Sequence, residues 1–362
     1  MQATFFASAK ALLAHGIHYD TRQRTHHRIA RVLHGRPTPL AQSRTLKELV
    51  GDIAASGASK ALISSETFVR CTAEEARDIV AYFRQHAKRV RVLLYVRHPV
   101  SYASSAAHQG VRVGRSLKAV IADPRIVDLT ALVEVWREAA GADGLIVRPF
   151  ARPLLTNGDI VDDVLDAIGV PEAAPAMTRV MVNEGLSVLG IHLIDAANRA
   201  AKEPPLPQRL IRIFEAVAGP RYVLPEHSLA MVAAMAEPHL AFLNREYGIV
   251  LPEPTDRPSP PVELSEAELA SLAAVMMDAS RHMDAWDRSP ASRIVGLASP
   301  FAREVDRAPQ PFAQTLGKLG LGALLKPRPA RPERRAHELE ERFQQRAHAA
   351  EVVRKRRRPG LA

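Results

Sequence analysis

Short apolar runs alternate with amphipathic segments along the first half of the chain. Three of these runs predict β-strands, at residues 60–66, 90–96 and 144–150. The second run, VRVLLYV, has the composition of a strand that is buried on both faces. Apolar residues at helical spacing predict helices over 76–87, 129–136 and 160–168. Such alternation favours an α/β fold, in which helices cover a parallel sheet.

Local signals mark where several helices begin. Thr72-Ala73-Glu74-Glu75 is a capping box, in which the threonine and the last glutamate satisfy each other's free amides. His98-Pro99 ends the second strand and places proline at the first turn of a new helix. The opening residues 1–16 have a helical pattern and lack the basic leader of a secretory signal.

The second half of the chain has a different organisation. It is predicted to be mostly helical from Leu186 to Tyr247, after which the proline-rich residues 252–261 predict a linker. A second capping box at 265–268 then starts a helix that runs to about Trp286. The predicted parts are an α/β core over 1–255, a linker and helix over 256–325, and a basic, partly disordered tail over 326–362.

The net charge of +10 is concentrated in that tail. Residues 326–362 hold 12 Lys and Arg against 5 Glu, so the rest of the chain carries only a small excess. This distribution does not predict a specific nucleic-acid site. The tail could bind a polyanion or an acidic membrane surface, or it could be solvated without a dedicated partner.

Cysteine content and hydropathy narrow the class of protein further. The single cysteine, Cys71, excludes an internal disulfide and a cysteine metal site. No apolar stretch approaches the roughly 18 residues of a membrane helix, and no side-chain cluster has metal-ligand spacing. We therefore expect a cytoplasmic protein that holds no metal.

Arg97 and Ser105 are the strongest candidates for ligand binding. Arg97 ends a predicted strand and Ser105 lies about two turns into the next helix, so both side chains can reach one anion above the sheet edge. Arginine offers a planar fork of donors to phosphate oxygens, and serine adds a neutral donor. The alternative is that Arg97 pairs with a neighbouring carboxylate and Ser105 merely packs.

The segment LLYVRHPVSYASSAAHQGVR, residues 93–112, resembles the 3′-phosphate-binding strand and helix of sulfotransferases that use PAPS (3′-phosphoadenosine 5′-phosphosulfate). ALISSE, Trp136, GLIVRPF, and Asn183 with Ser187 in VNEGLS are similar to a bacterial sulfotransferase-like group linked to polysaccharides and other cell-surface glycans. The resemblance implies a P-loop-NTPase-like three-layer fold. It also implies that Arg97 and Ser105 hold the 3′-phosphate of PAPS and of its product PAP (3′-phosphoadenosine 5′-phosphate).

One element of that family is not found in the sequence. Sulfotransferases begin with a strand and a Lys-x-Gly-Thr-Thr/Ser loop, whose amides and lysine hold the 5′-phosphosulfate. Residues 1–20 here look like the helix that follows such a loop. Either the start of the chain was placed too late, or the chain is shortened and cannot perform the chemistry. In the sequence as given, strands 60–66 and 90–96 would flank an empty slot.

Glu66 is the candidate general base, because related enzymes place His or Glu at this strand end near the acceptor hydroxyl. Glu66 could instead cap the next helix or pair with Arg70, and His26 and His27 are competing bases. Asn183 and Ser187 could be helix caps, and the role of Arg148 is left open.

These features predict transfer of a sulfuryl group from PAPS to a hydroxyl of a carbohydrate acceptor. The first alternative is a catalytically inactive nucleotide- or glycan-binding protein on a truncated sulfotransferase fold. The second is a nucleotide-dependent kinase, which would need an acidic residue to hold Mg²⁺ at a strand end, where Glu66 is the obvious candidate.

Overall fold

A computed structural model describes residues 1–33, 40–180, 185–201 and 204–287. Asn183 and the basic tail lie outside the described residues, as does most of the 256–325 segment. The first half contains α1 Gln2–Ala7, α2 Ala9–Ala14, β1 Ile17–Tyr19, α3 His27–Leu33, α4 Arg44–Ala55, β2 Lys60–Leu62, α5 Ala73–Arg84, β3 Val92–Val96, α6 Pro99–Arg112, α7 Leu117–Ala122, α8 Leu129–Ala140, β4 Leu145–Pro149 and α9 Ile160–Ala167. The second half contains α10 Val188–Ala200, α11 Gln208–Glu215, α12 Glu226–Tyr247 and α13 Glu266–Asp287.

The strands form two parallel pairs. β1 pairs with β2, with Ile17 opposite Lys60, and β3 pairs with β4, with Val92 opposite Leu145. The α/β class is confirmed, and helices predominate. Among the described residues the strands do not join into the single parallel sheet that the sequence predicted, because β2 and β3 are not hydrogen-bonded to each other.

The predicted helix starts are confirmed by their hydrogen bonds. The Thr72 side chain accepts from the Glu75 amide while the Glu75 carboxylate accepts from the Thr72 amide. The same reciprocal pair joins Ser265 and Glu268. At the start of α6, His98 Nδ1 accepts from the amide of Val100 at 3.3 Å, and Pro99 occupies the first turn. These capping hydrogen bonds therefore fix the residues at which the helices begin.

The side chains of β3 alternate between two hydrophobic clusters. Leu94 and Val96 belong to a cluster with residues of α4, α5, α8 and α12. Leu93 and Tyr95 pack against a second cluster formed by α1, α2, β1 and α9. This period of two is the expected consequence of strand geometry. The prediction that the strand is buried throughout needs correction, because Val92, Leu93 and Tyr95 are only half-buried.

The opening segment is less regular than its pattern suggested. Residues 1–16 form α1 and α2, which are separated at Ser8, instead of one helix. The short strand β1 follows directly, and the sequence analysis missed it. Three residues are too few for strand periodicity to be recognised, and β1 depends on its pairing with β2.

The proline-rich residues 252–261 contact the core of the protein. The amide of Val223 donates to Ser259 Oγ at 2.7 Å, and the Ser259 amide donates to the Val223 carbonyl at 3.3 Å. This segment therefore lies along residues 221–223, a contact that a linker would not make. Residues Met1–Met277 form one compact unit. Within the described ranges, no helix combines the length and apolar character that crossing a membrane requires.

Candidate anion-binding site

Arg97 and Ser105 meet at the carboxyl end of β3. Arg97 follows the last residue of β3, and Ser105 lies on α6, which begins two residues later. Arg97 Nη1 donates to Ser105 Oγ at 3.2 Å. Among the described residues, no carboxylate lies within 4.0 Å of the Arg97 guanidinium, so the alternative in which Arg97 forms an ion pair with a neighbour is not observed.

A second arginine, Arg221, reaches the same hydroxyl. Arg221 Nη2 donates to Ser105 Oγ at 3.1 Å. The hydroxyl lies 3.4 Å from the carbonyl oxygen of Ser101, to which it can donate its own proton. Two guanidinium groups from segments far apart in the sequence therefore converge on one serine. The sequence analysis missed Arg221, because its segment is neither a strand nor a helix and carries no motif.

A short backbone pairing holds Arg221 in place. Tyr222 donates its amide to the Leu186 carbonyl at 2.9 Å, and Val188 donates to the Pro220 carbonyl at 2.9 Å. Ser187 and Arg221 form the bridge between these two segments. Ser187 also accepts from the Gly190 amide at 3.0 Å, which confirms the prediction that it caps a helix.

His108 of α6 forms hydrogen bonds with both of the paired segments. Its ring is buried; Nδ1 accepts from the Leu186 amide at 3.2 Å, and Nε2 therefore carries the proton that it donates to the Tyr222 carbonyl at 2.9 Å. Burial lowers the pKa of His108 to about 4, and the positive charge of Arg221 acts in the same direction. The imidazole is consequently a neutral structural link between α6 and both paired segments.

The site requires the small size of Gly185, which lies in the VNEGLS motif. A Cβ at this position would lie 2.6 Å from Arg221 Nε and 2.7 Å from His108 Cε1. These distances are too short for ordinary contact, so any larger residue would displace the arginine or the histidine. The glycine thus allows close approach of backbone and side chains.

The cluster carries positive charge that is only partly compensated. Burial lowers the pKa of Arg97, and the neighbouring Arg221 lowers it further, whereas Asp256 raises it. Asp256 Oδ2 lies 3.5 Å from Arg221 Nη1, and on the same proline-rich segment Glu253 lies 3.8 Å from His98 Nε2. The segment therefore brings two carboxylates to the edge of a site whose electrostatics favour an anion.

Glu66 does not end a strand, because the predicted strand 60–66 is formed only over Lys60–Leu62 and Glu66 lies four residues beyond it. It is the first residue of a short 3₁₀ turn after β2, and its side chain is exposed. Ser65 provides the cap of that turn by accepting from the Thr67 amide. No described residue forms a hydrogen bond or ion pair with the Glu66 carboxylate, so the capping and Arg70-pairing alternatives are not observed.

The two competing histidines differ sharply. His26 is fully buried; Nδ1 accepts from the Ser64 amide at 2.9 Å, so Nε2 donates to the Asp20 carbonyl at 3.0 Å. Burial also lowers its pKa. His26 is therefore a structural residue with both nitrogens engaged. His27 is half-buried, and its Nδ1 lies 2.9 Å from Ser65 Oγ, next to Glu66 in the sequence.

Arg148 has a structural role in the described residues. Its Nε and Nη2 donate to the two oxygens of Asp163 at 2.6 and 2.8 Å, and the Tyr95 hydroxyl and the Thr156 amide also donate to this carboxylate. Although burial raises the pKa of Asp163, the hydrogen bonds from Arg148 and Tyr95 hold it below its usual value. The network ties the ends of β3 and β4 to α9.

Cys71 is buried, and burial raises the pKa of its thiol to about 12, which keeps it in the unreactive protonated form. No group of three or more potential metal ligands occurs within the described parts of the chain.

Comparison with known proteins adds no relative. No family model, curated protein or solved structure matches the chain. The arguments that follow therefore depend on the residues of this chain, on their geometry, and on the resemblance of the segments quoted above.

Proposed function

We propose that the chain binds a 3′-phosphorylated adenine nucleotide of the PAPS and PAP type. The convergence of Arg97 and Arg221 on Ser105 is the observation that carries this proposal. The resemblance of residues 93–112 to the 3′-phosphate segment of sulfotransferases identifies the anion. Arg221 extends the pair of ligands that this resemblance implies to a group of three.

The chemistry of the three side chains suits a phosphate monoester. Each guanidinium presents several N–H donors in a planar fork that matches phosphate oxygens, and the serine hydroxyl can supply one more donor. Two positive charges beside a half-buried hydroxyl also suit a dianion better than a single carboxylate. The position beyond the carboxyl end of a parallel strand is where α/β proteins commonly bind ligands.

The associated reaction is transfer of a sulfuryl group from PAPS to a carbohydrate hydroxyl. The acceptor oxygen forms a bond to sulfur, the bond from sulfur to the bridging phosphate oxygen breaks, and PAP leaves. We assign to Glu66 the removal of the acceptor proton, a task for which its exposed carboxylate is suited. No described residue is assigned to the 5′-phosphosulfate, because the sequence contains no Lys-x-Gly-Thr-Thr/Ser loop.

The alternative is a nucleotide- or glycan-binding protein that does not catalyse transfer. The difference in organisation between the two sites favours keeping this alternative, since Arg97 and Arg221 both donate to Ser105 whereas Glu66 has no hydrogen bond among the described residues. Nucleotide binding is common to both candidates, so we test it first.

Calorimetric titration with PAP and with AMP tests the binding proposal. PAP should bind more tightly than AMP, and Arg97→Ala should reduce that preference by about 1.5–3 kcal/mol, which is roughly 10- to 150-fold. Arg221→Ala should have an effect in the same direction. Arg91→Ala is the matched control, because Arg91 is exposed just before β3. Equal affinities for PAP and AMP would remove the assignment.

Turnover separates the two candidates. If the chain transfers sulfuryl groups from PAPS, Glu66→Gln should leave PAP affinity unchanged and lower turnover by about 10²- to 10⁴-fold, the usual size of a general-base contribution. A loss of activity in His27→Gln but not in Glu66→Gln would transfer the role of base to His27.

A further inference from the structure

Residues 252–258, here called the strap, run past the anion site between two points of attachment. Leu251, just before the strap, is buried in the core. Ser259, just after it, exchanges hydrogen bonds with Val223 and donates its hydroxyl to the Arg221 carbonyl at 3.3 Å. Between these points no backbone group of the strap forms a hydrogen bond with a described residue, and three of its residues are prolines, which lack an amide donor. The position of the strap therefore depends on its side chains.

Asp256 provides the main contact between the strap and the anion site. Its Oδ2 lies 3.5 Å from Arg221 Nη1, and both side chains are partly exposed. Burial and Arg221 lower the pKa of Arg97, and the Asp256 carboxylate acts against both effects. Asp256 thus supplies a single negative charge to the two guanidinium groups that converge on Ser105.

Glu253 makes the second contact, which fits poorly. His98 Nδ1 accepts from the Val100 amide, so Nε2 carries the proton. This nitrogen is buried and lies 3.8 Å from Glu253 Oε2, which is too long for a hydrogen bond, and no other described residue accepts from it. Burial lowers the pKa of His98, which favours the neutral ring, although Glu253 raises it. The strap therefore leaves a buried donor without a partner and is held only weakly at this point.

A phosphate bound by Arg97, Ser105 and Arg221 would conflict with the strap. Because Asp256 lies against the Arg221 guanidinium, a phosphate oxygen on that guanidinium would come close to the Asp256 carboxylate. Like charges at such separations repel each other, and a dianion is repelled more than a monoanion. A monoanion would only exchange one single charge for another at the guanidinium groups, whereas a dianion gains more attraction than the carboxylate provides. The strap should therefore resist monoanions and yield to dianions.

We propose that the strap is an internal competitor for the anion site, which dianionic phosphate groups displace and monoanions do not. It would move about its attachments at Leu251 and Ser259, and the movement would break no backbone hydrogen bond between described residues. The strap would thereby select phosphate monoesters. This inference rests on the proposed function, because it concerns the site that we assign to the 3′-phosphate.

A fluorine label on the strap tests the displacement. Thr255 is exposed between the two carboxylates, so Thr255→Cys can be alkylated with a trifluoromethyl reagent, whereas the native Cys71 is buried. Methyl phosphate is a dianion at about pH 8, and dimethyl phosphate is a monoanion. At constant ionic strength, methyl phosphate should shift the fluorine resonance, and dimethyl phosphate should do so about tenfold less effectively. The same label at Arg91→Cys, before β3, should respond to neither ester.

Removal of the two carboxylates gives a second measurement. In the unliganded protein that combines Glu253→Gln with Asp256→Asn, the label should already show the signal of the displaced strap. Methyl phosphate should bind about two- to tenfold more tightly, and its advantage over dimethyl phosphate should shrink. Glu263→Gln is the matched control, because Glu263 is exposed beyond Ser259 and forms no ion pair with a described residue.

The proposal is overturned if methyl phosphate binds, as seen by broadening of its phosphorus resonance, while the label stays unchanged. Equal displacement by the two esters, weaker binding of methyl phosphate to the double variant, or no binding of either ester would also overturn it. The nucleotide assignment fails separately. A strap that methyl phosphate displaces, together with equal affinities for PAP and AMP, would contradict the nucleotide assignment alone, whereas a preference for PAP with an unchanged label would contradict the strap alone.

Discussion

The carboxyl ends of β2 and β3 are both lined with polar residues, but the surrounding chain holds them to different extents. At the end of β3, Arg97 donates to Ser105, and so does Arg221, which comes from a segment more than 100 residues away in sequence. Four residues beyond the end of β2, Glu66 is exposed and has no hydrogen bond among the described residues. The anion site is thus preorganised, whereas the position of the candidate base depends on contacts that the described residues do not supply.

The difference follows from the contacts that surround the strands β2 and β3. β3 pairs with the five-residue strand β4 and is tied to α9 through Asp163, whereas β2 pairs with the three-residue strand β1. A site that must hold charge in a fixed geometry needs supporting contacts such as those around β3. Four predictions test this comparison.

The largest effect is expected for Asp163, whose carboxylate accepts hydrogen bonds from Tyr95 of β3 and Arg148 of β4. Asp163→Ala leaves the Arg148 guanidinium and the Tyr95 hydroxyl without their buried partner, so the free energy of unfolding should fall by about 3–5 kcal/mol. Urea denaturation measures this change. Asp166→Ala on the same helix is the control, because its ion pair with Arg148 is long, at 3.8 Å, and half-exposed. Similarly small losses of unfolding free energy in both variants would show that the network does not stabilise β3.

The second prediction concerns the pH dependence of stability through His108. Its pKa is about 4 in the folded protein against an ordinary value of 6.5, so the unfolded chain binds the proton first as pH falls. The stability that neutral His108 contributes is therefore complete above pH 6.5 and lost as pH falls towards about 4. The loss should be on the order of 3 kcal/mol.

Urea denaturation across this pH range gives the measurement for His108. Other histidines also titrate there, so the relevant quantity is the difference between the wild-type protein and His108→Gln, which keeps hydrogen-bonding groups but does not titrate. The variant should show a shallower decline. Parallel curves would mean that His108 is already neutral or equally solvated in both states.

The third prediction concerns the close contact at Gly185. Gly185→Ala forces Arg221 or His108 to move, which should cost about 1–3 kcal/mol of stability and reduce the preference for PAP over AMP. Gly51→Ala is the control, since a Cβ there meets nothing within 4 Å and alanine favours a helix. Unchanged PAP affinity in Gly185→Ala would indicate that the paired segments tolerate the shift without moving Arg221.

The same comparison shows what the sequence could predict. Capping boxes, the His98-Pro99 boundary and helical spacing are local signals, and the corresponding helices α5, α6, α8, α9 and α13 are confirmed. The meeting of Arg97 and Ser105 was accessible for the same reason, because both positions follow from one strand and its adjoining helix.

The remaining features depend on tertiary contacts. Arg221 is placed by the pairing of Ser187 with its own segment, and the proline-rich residues 252–261 are placed by Ser259. Neither contact leaves a periodic pattern in the sequence. The single parallel sheet was predicted from the alternation of strands and helices and from strand composition, which indicate a fold class and how buried a strand can become but not which strands are adjacent.

The smallest expected effect belongs to Asp256, the carboxylate at the edge of the preorganised site. Its Oδ2 lies 3.5 Å from Arg221 Nη1 on a partly exposed side chain, so it competes with a bound phosphate for the same guanidinium. Asp256→Asn should therefore tighten PAP binding by about 0.2–1 kcal/mol, up to roughly fivefold, and less at high salt. Calorimetry at two salt concentrations measures this, with the exposed Asp143→Asn as control. Weaker binding in Asp256→Asn would mean that the carboxylate orients Arg221 towards the nucleotide. The support of the anion site would then extend to the proline-rich segment.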